Sequence, residues 1–263
     1  MLNFRKTMKR LLFFLYFSVI VFNLYSEESV FIYDLKKDII LGSLSVGMFI
    51  SPFFINDNPG DIPNNLNIND VNFFDRGLMF PYDNKLDAVS RIIVPGLIVA
   101  SVISPLAGNI RENFDTWLTY GIMYAQTLAF TYGTSVLIKK TVDRYRPYIY
   151  FHEAVEDDYH RSFPSGTTSY AFSAATFFSV TFLSEYPDSF WRFPVFIGSY
   201  ALAATAGATR ILSGSHFLTD VLAGAAIGTF FGWLMPTLHR RNNEDNKISF
   251  HFTGNEAVIS LKF

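Results

Sequence analysis

The sequence has 263 residues, half of them hydrophobic, and only 17% are charged, against roughly 25% in soluble domains, which indicates a chain in contact with lipid. Its formal net charge of −2 argues against a broad nucleic-acid-binding surface, which would need an excess of basic residues. The absence of cysteine excludes disulfides, thiolate metal sites, thiol catalysis and a lipidated N-terminal cysteine.

The first 26 residues are typical of a bacterial secretory signal peptide. Basic residues at positions 5, 6, 9 and 10 precede the apolar run LLFFLYFSVIVFNLY, and the small Ser26 follows. A charged start, a short apolar centre and a small final residue predict cleavage after Ser26. Signal peptides usually have a small residue at the third position before the cleaved bond, but here that residue is Leu24. An uncleaved signal anchor is therefore the alternative.

Six apolar segments follow, each near the roughly 17–25 residues that cross a bilayer. Small residues are scattered through them, as in membrane helices that pack closely on each other. The predicted helices are 38–55, 88–107, 116–139, 166–184, 192–209 and 216–236. Together they predict an all-α fold, a polytopic membrane helical bundle of about six core helices, with its main domain at 88–241.

Two segments differ from these helices. The stretch 56–87 is rich in Asn, Asp, Pro and Gly and is predicted to be a loop outside any core, so that 27–87 holds the first helix and this loop. In the tail 242–263, apolar and polar residues alternate on both sides of TGNE (253–256), which predicts a β-hairpin. An isolated hairpin is only marginally stable, so we expect the tail to pack on the helical body or on a partner.

The first of three polar clusters is KKTVDRYRP, at the end of the third predicted helix. Lys139 and Arg146 are seven residues apart, close to two helical turns, so both can face one side. Pro147 then ends the helix. The alternative is a group of basic residues at the membrane edge, which is common where helices leave the bilayer.

The second cluster is Pro164-Ser165-Gly166, directly before the fourth predicted helix. The free N–H groups at that helix start, its positive dipole end and the Ser165 hydroxyl suit a bound phosphate. The alternative is ordinary capping of the helix by Ser165 or Thr167.

The third cluster lies in TRILSGSHFLTDVLAG (209–224). His216 and Asp220 are spaced i, i+4, so on a helix they share a face and can meet. A carboxylate bonded to one imidazole nitrogen would leave the other as a nucleophile. Arg210 is a planar donor suited to phosphate oxygens. If the three clusters converge on one membrane face, they form a site for a multiply charged oxyanion, which favours phosphoryl transfer.

The order and spacing of the clusters resemble the three signature motifs of the type 2 phosphatidic acid phosphatase and vanadium haloperoxidase superfamily, over about residues 88–238. The resemblance implies that His216 attacks phosphorus to give a phosphohistidine and that Asp220 orients it. It further implies that the phosphoryl oxygens are held by Lys139, Arg146, Ser165, Gly166 and Arg210. Water would then release phosphate, with no metal or other cofactor.

Two positions depart from that pattern. Thr209 replaces the usual Ser before Arg210 and keeps its hydroxyl, whereas Thr167 replaces the His that protonates the leaving oxygen in the family. General acid catalysis is typically worth about 10²–10⁴-fold in rate. A substitute acid is one explanation, with His160 the better candidate and His152 the other, near acidic residues at 153 and 156–158. The second explanation is a substrate with a good leaving group, which needs no acid. The third is a site that binds lipid phosphate without turnover.

We therefore predict a membrane lipid phosphatase that acts on a lipid phosphate or diphosphate of the polyprenyl diphosphate or phosphatidate type. Its expected partners are this substrate and membrane lipids. One alternative is a catalytically degenerate membrane protein that binds lipid phosphate. Another is a haloperoxidase-like enzyme holding vanadate through His216, and a channel or transporter would leave the three clusters unexplained.

We expect this protein in a bacterial inner membrane, with its site on the periplasmic face. A cleaved signal peptide, however, would leave residue 27 outside, and three crossings would then place the site in the cytoplasm. An outward-facing site requires that one early segment does not span, and 38–55, with its two glycines and one proline, is the best candidate.

Overall fold

The structure is a computed structural model that describes residues 29–56, 62, 66–106, 114–153, 155, 158–241, 248–253 and 256–261. The predicted signal segment, residues 1–26, lies outside the described residues. The helices are α1 (Leu35–Ile50), α2 (Phe73–Arg76), α3 (Asn84–Leu106), α4 (Phe114–Thr141), α5 (Gly166–Glu185), α6 (Arg192–Leu212) and α7 (Leu218–His239). Short 3₁₀ turns occur at Ser51–Phe54, Ile68–Asp70 and Pro147–Phe151.

The predicted helical bundle is confirmed, because α1 and α3–α7 are long, packed helices that correspond to the six predicted segments. The differences between the predicted and the observed helices are at the helix ends. The 3₁₀ turn Ser51–Phe54 completes the first segment, and α3 begins at Asn84 rather than at residue 88. Helix α7 begins at Leu218, so His216 precedes the helix instead of opening it.

Helix α5 lies at the centre of the bundle and contacts α3, α4, α6 and α7. Glycines at every fourth position of α7 allow the closest of these contacts. A Cβ on Gly228 would lie 2.1 Å from the carbonyl oxygen of Ser169, and one on Gly224 would lie 2.4 Å from that of Ser165. Gly232 has a similarly close backbone neighbour. This small-residue packing fixes the start of α5 beside the start of α7.

Three of the described helical segments are long and apolar enough to cross a membrane: Leu35–Phe54, Arg192–Leu212 and Leu218–His239. Large apolar side chains on them, such as Ile39, Ile197 and Leu222, are exposed on the bundle surface, as lipid contact requires. Helix α5 differs because many of its Ser and Thr side chains are buried among the other helices. The first segment, expected to be the one that does not span, is itself one of the three candidates.

Helix α1 packs along α4 from one end of the bundle to the other. At one end, Asp38 Oδ1 lies 2.6 Å from Nε2 of the buried His239 at the end of α7, and the Ile32 amide donates to the His239 carbonyl oxygen. At the other end, Lys140 Nζ donates to the carbonyl oxygen of Pro52 at 2.7 Å. Residues 29 and 241 therefore lie together at the end of the bundle where α1 begins.

The stretch 56–87, predicted to lie outside any core, contributes buried residues. Val71, Asp75 in α2 and Asp87 in the first turn of α3 are all buried. Both carboxylates accept hydrogen bonds from the bundle, Asp75 from Thr219 and Asp87 from Ser215. The prediction was wrong here because a loop-like composition does not reveal single side chains that point inward.

The tail contains strands β1 (Ile248–Thr253) and β2 (Glu256–Leu261). They pair antiparallel, with Ile248 opposite Leu261 and Thr253 opposite Glu256. The pair Thr253 and Glu256 lies at the two ends of the sequence TGNE, in which the turn is predicted.

Candidate active site

The three polar clusters meet at one end of the bundle, where α4 and α6 end and α5 and α7 begin. The Ser165 amide donates to the Asp220 carbonyl oxygen at 2.9 Å and so joins the start of α5 to the first turn of α7. The Lys139 side chain passes close to Gly166, where an added Cβ would lie 3.6 Å from Lys139 Cε. The fold thus brings together motif residues that are far apart in sequence.

The ring of His216 is buried and held in one orientation. Its Nδ1 lies 2.7 Å from the carbonyl oxygen of Ser162. A carbonyl oxygen only accepts, so Nδ1 carries the proton and Nε2 carries the lone pair. Within the part of the chain that the structure describes, Nε2 has no hydrogen-bond partner. His216 therefore presents a nitrogen lone pair suited to nucleophilic attack.

Asp220 acts on the neighbours of His216 rather than on its ring. The two atoms that the i, i+4 spacing would join, His216 Nδ1 and Asp220 Oδ2, are 3.6 Å apart because His216 precedes α7. Asp220 Oδ2 accepts from the Phe217 amide at 2.8 Å and from the Ser162 hydroxyl at 2.5 Å. One carboxylate thus fixes the residue that follows His216 and the residue whose carbonyl oxygen holds its ring.

Lys139 and Arg146 reach the site from different segments of the chain: Lys139 lies in the last turn of α4 and Arg146 follows the helix. Helix α4 ends at Thr141, so Arg146 stands on the irregular segment after the helix and not on a second helical turn, as the spacing had predicted. Arg146 is buried and forms an ion pair with Asp158. Lys139 Nζ donates to the carbonyl oxygen of Arg161 at 2.7 Å. Both cations are therefore fixed from the same segment, residues 158–161.

Arg210, in the last turn of α6, is the third cation. Its guanidinium is buried and forms an ion pair with Asp87, which also accepts from the Ser215 hydroxyl at 3.1 Å. The Nε–H group is also buried, and it has no acceptor among the residues described. Buried N–H groups rarely lack a partner, so this donor suits an oxygen of a bound anion.

Ser165 is the N-cap of α5, as the capping alternative predicted. Its Oγ accepts from the Thr168 amide at 3.4 Å and lies 2.8 Å from Thr168 Oγ1. The amides of Gly166 and Thr167 are in the first turn, where no intrahelical acceptor exists. Those two N–H groups and the positive end of the helix dipole are the donors that this element offers to an anion.

The electrostatics of the site keep His216 neutral. Burial lowers the pKa of His216 well below its usual value, and the positive charges of Arg146, Lys139 and Arg210 lower it further. The hydrogen bond to Ser162 acts in the opposite direction but does not outweigh them. A pocket that repels a proton from His216 attracts an anion instead, which is what a phosphoryl-binding site needs.

The positions considered for the missing acid have different surroundings. The Thr167 side chain is partly exposed and makes no hydrogen bond to the residues that the structure describes. His160 is buried, with its ring edge-on to that of Tyr159 at a centroid distance of 5.4 Å. His152 is exposed. Among the described residues, no three His, Asp or Glu side chains are grouped as a metal site would require.

Four residues at the site were not singled out from the sequence: Ser162, Arg144, Asp75 and Asp87. Ser162 acts through its backbone carbonyl, which leaves no side-chain signal in a sequence. Arg144 lies inside KKTVDRYRP, and its Nη1 donates to Asp220 Oδ1 at 2.5 Å. A second arginine in that cluster was thus the one available signal, whereas the two aspartates lie in a stretch rich in acidic residues.

Comparison with known proteins gives three findings. The family model of the PAP2 superfamily matches residues 120–244. A lipid A 1-phosphatase of Porphyromonas gingivalis is 27% identical over 178 residues, which make up 66% of this chain and 35% of that protein. The chain thus spans about a third of the length of this curated relative. The crystal structure of a transmembrane PAP2 type phosphatidylglycerolphosphate phosphatase from Bacillus subtilis aligns with a TM-score of 0.48 and 20% identity, over 76% of this chain and 94% of that chain.

Proposed function

We propose, from the PAP2 superfamily region at residues 120–244 and the geometry around His216, that this chain is a membrane lipid phosphatase that works through a phosphohistidine. The curated relative is named as a phosphatase of a lipid, which supports the same class. One observation carries the proposal. His216 is oriented by the Ser162 carbonyl oxygen, which lies 2.7 Å from Nδ1, and Nε2, which has no hydrogen-bond partner among the described residues, keeps its lone pair for attack on phosphorus.

The reaction then has two displacements at phosphorus. The Nε2 lone pair forms an N–P bond while the P–O bond to the leaving group breaks, and the electron pair departs with the leaving oxygen. A water oxygen next attacks phosphorus and gives up one proton to solvent, the N–P bond breaks, and its electron pair returns to Nε2 as phosphate is released. Lys139, Arg146 and Arg210, with the Gly166 amide, would stabilise the phosphoryl oxygens throughout.

We propose a lipid diphosphate, such as a polyprenyl diphosphate, as the preferred substrate. By the resemblance to the family pattern, Thr167 would occupy the position of the acid that protonates the leaving oxygen, and a hydroxyl cannot supply a proton near neutral pH. The leaving group of a diphosphate is itself a phosphate monoester, whose second pKa is about 6, so it departs without that proton. Phosphatidate would have to release an alkoxide, which makes it the poorer substrate. His160 as a substitute acid would remove this preference.

We further propose that the site faces the periplasmic side of a bacterial inner membrane. Cytoplasmic ends of membrane proteins carry an excess of Lys and Arg. At the opposite end of the bundle, five such residues lie near helix termini: Lys36, Lys37, Arg192, Arg240 and Arg241. At the site end, the Lys139, Arg144, Arg146 and Arg210 side chains are held by Asp side chains or a backbone carbonyl of the site, so the proposal counts them as parts of the site and not as signals of topology.

The test is phosphate release by the purified protein in detergent micelles with polyprenyl diphosphate and phosphatidate. We expect release from the diphosphate, and its loss in His216→Asn. His152→Asn makes the same replacement at an exposed histidine, where Asn tolerates the left-handed backbone, and release that is kept in this variant also excludes His152 as the substitute acid. Thr167→His should raise the rate on phosphatidate more than the rate on the diphosphate.

The outcomes separate the proposed function from its alternatives. Release that persists in His216→Asn would rule out the phosphohistidine route. Equal rates on both substrates would point to a substitute acid and overturn the diphosphate preference. No release by wild type or Thr167→His, together with binding of either lipid, would indicate a protein that binds lipid phosphate without turnover.

A further inference from the structure

Asp75 is a buried carboxylate outside the region that matches the family, yet it lies against the candidate site. It belongs to the one-turn helix α2, and none of its surface is exposed. Its Oδ1 accepts from the Thr219 amide at 2.9 Å. Its Oδ2 accepts from the Thr219 hydroxyl and Arg144 Nη2, each at 2.6 Å, and from Asn72 Nδ2 at 2.5 Å. Such complete pairing is what a buried charge requires.

Arg144 connects Asp75 to Asp220. While Nη2 contacts Asp75, Nη1 donates to Asp220 Oδ1 at 2.5 Å and to Thr219 Oγ1 at 2.8 Å. The guanidinium carbon also lies 4.1 Å from the centre of the Phe217 ring. Because a guanidinium is planar, two carboxylates on different edges fix its position more firmly than either would alone.

The contacts continue from Asp220 to the nucleophile. Asp220 Oδ2 accepts from the Ser162 hydroxyl and the Phe217 amide, and the Ser162 carbonyl oxygen accepts from His216 Nδ1. The Ser162 amide in turn donates to the Arg144 carbonyl oxygen at 2.9 Å. The residues from α2 to the His216 ring are therefore joined by direct hydrogen bonds and ion pairs, and Ser162 takes part in two of them, through its hydroxyl and its carbonyl oxygen.

We propose that Asp75 is a positioning residue for the phosphatase reaction, acting through Arg144 and Asp220 to hold His216 in its attacking orientation; this rests on the proposed function. Asp75 forms no hydrogen bond or ion pair with Lys139, Arg146, Ser165, Gly166 or Arg210, so its removal should leave substrate binding largely intact. It should instead lower the fraction of molecules in which Nε2 is aimed at phosphorus. The effect therefore belongs to kcat and not to KM.

The charge of Asp75 fits this role. Burial raises its pKa, but the hydrogen bonds from Thr219, Arg144 and Asn72 more than offset burial, so its pKa lies below the usual value and the carboxylate stays charged near neutral pH. Asp75→Asn keeps the size of the side chain but removes that charge. Its amide group would also direct N–H donors at Thr219 and Arg144, which are donors themselves.

The experiment compares Asp75→Asn and Arg144→Lys with Asp83→Asn. Asp83 is an exposed carboxylate in the same loop that caps α3 through the Lys85 and Leu86 amides, so it controls for general damage to the loop. We expect Asp75→Asn and Arg144→Lys to lower kcat about 10–100-fold, by analogy with the loss of groups that orient metal-binding side chains, with KM changed less than about threefold. Asp83→Asn should keep both constants.

Thermal denaturation in the same detergent gives the structural reference. Wild-type kcat in Asp75→Asn, or a loss that Asp83→Asn matches, would overturn the positioning role. So would a fall in kcat that disappears once the unfolded fraction is subtracted. Retained folding with a selective loss of kcat would support it.

Vanadate binding keeps this inference separate from the choice of substrate. Vanadate is an oxyanion that can adopt the five-coordinate geometry of phosphorus under attack, so under the proposed function it should enter the same pocket and bond to His216 Nε2. Titration calorimetry with vanadate then reports the orientation of His216 even if neither lipid is hydrolysed. We expect at least tenfold weaker vanadate binding in Asp75→Asn than in wild type. Equal affinity would overturn the positioning role alone, whereas a wild type that binds no vanadate and releases no phosphate would overturn the proposed function and this inference with it.

Discussion

At the scale of single residues, the state of His216 determines what the site can do. The neutral ring is favoured in the folded protein by burial and by three nearby cations, so protonation is held well below the usual pKa of 6.5. In the unfolded chain the same side chain protonates near its usual value. Below that pH the unfolded state therefore binds more protons than the folded state.

This difference predicts a loss of stability in acid. As pH falls below about 6.5, His216 should remove up to about 1.4 kcal/mol of stability per pH unit, until the folded-state pKa is reached. Above about 6.5 its contribution should not change. Thermal denaturation midpoints of wild type and His216→Asn between pH 5 and 8 measure this. The wild type should lose more stability than the variant on acidification, and parallel curves would contradict a lowered pKa.

The sequence predicted which side chains are neighbours at the site better than it predicted which backbone groups hold them. The spacing of the clusters identified His216, Asp220 and Arg210 correctly as neighbours in the fold. It did not identify the acceptor of the His216 ring, because the Ser162 carbonyl oxygen has no counterpart in residue type. It also assigned Asp220 directly to the ring, since i, i+4 geometry applies only when both residues are helical and His216 is not.

At the scale of elements, the packing of α7 on α5 sets the position of the site. Gly228 lies where an added Cβ would be 2.1 Å from the Ser169 carbonyl oxygen, a backbone atom that can move only with its helix. We expect Gly228→Ala to separate the two helices, to cost about 1–3 kcal/mol of stability and to reduce phosphate release. Gly198→Ala is the control, because a Cβ there has no neighbour within 4 Å and Ala favours a helix.

Thermal denaturation and phosphate release on both glycine variants test this packing. A Gly228→Ala protein with wild-type stability would mean that the helices are less closely packed than described. The sequence predicted small-residue packing among these segments but not its register, because many positions in α5 and α7 are small. Which glycine faces which backbone atom depends on the three-dimensional crossing of the two helices.

The short helix α2 is the second element with a predicted effect. Phe73 and Phe74 are 85% and 70% exposed, directly before Asp75 at the site. An exposed aromatic pair at the site end of a membrane protein suits the lipid interface. We expect the double change Phe73→Ser, Phe74→Ser to lower kcat/KM on a long-chain substrate in vesicles at least about tenfold, since full burial of even one Phe is worth about 1.5–3 kcal/mol. A short-chain soluble analogue should be hydrolysed as by wild type, and an equal loss on both would indicate damage to the site instead.

At the scale of the whole molecule, the path of the chain determines whether residue 29 and the site lie on the same side of the membrane. Helix α1 passes from the Asp38 end of the bundle to the Pro52 end, and Leu35–Phe54 is long and apolar enough to span. Residue 29 and the site are therefore on opposite sides of any membrane that the bundle crosses. A periplasmic site and a cleaved signal peptide, both predicted from the sequence, exclude one another. Each of these two predictions was made from its own part of the sequence, which carries no information about the number of membrane crossings between residue 29 and the site.

Single-cysteine labelling distinguishes the two, because the natural chain has no cysteine and gives no background. Asp70 lies in the loop at the site end and Asp188 lies between α5 and α6 at the other end, and both are exposed. If the site is periplasmic, Asp70→Cys should react with a membrane-impermeant maleimide in intact spheroplasts, and Asp188→Cys should react only after the membrane is opened. The reverse pattern would place residue 29 outside and the site in the cytoplasm, as a cleaved signal peptide requires. Labelling of both cysteines in intact spheroplasts would mean that α1 and its neighbours do not span at all.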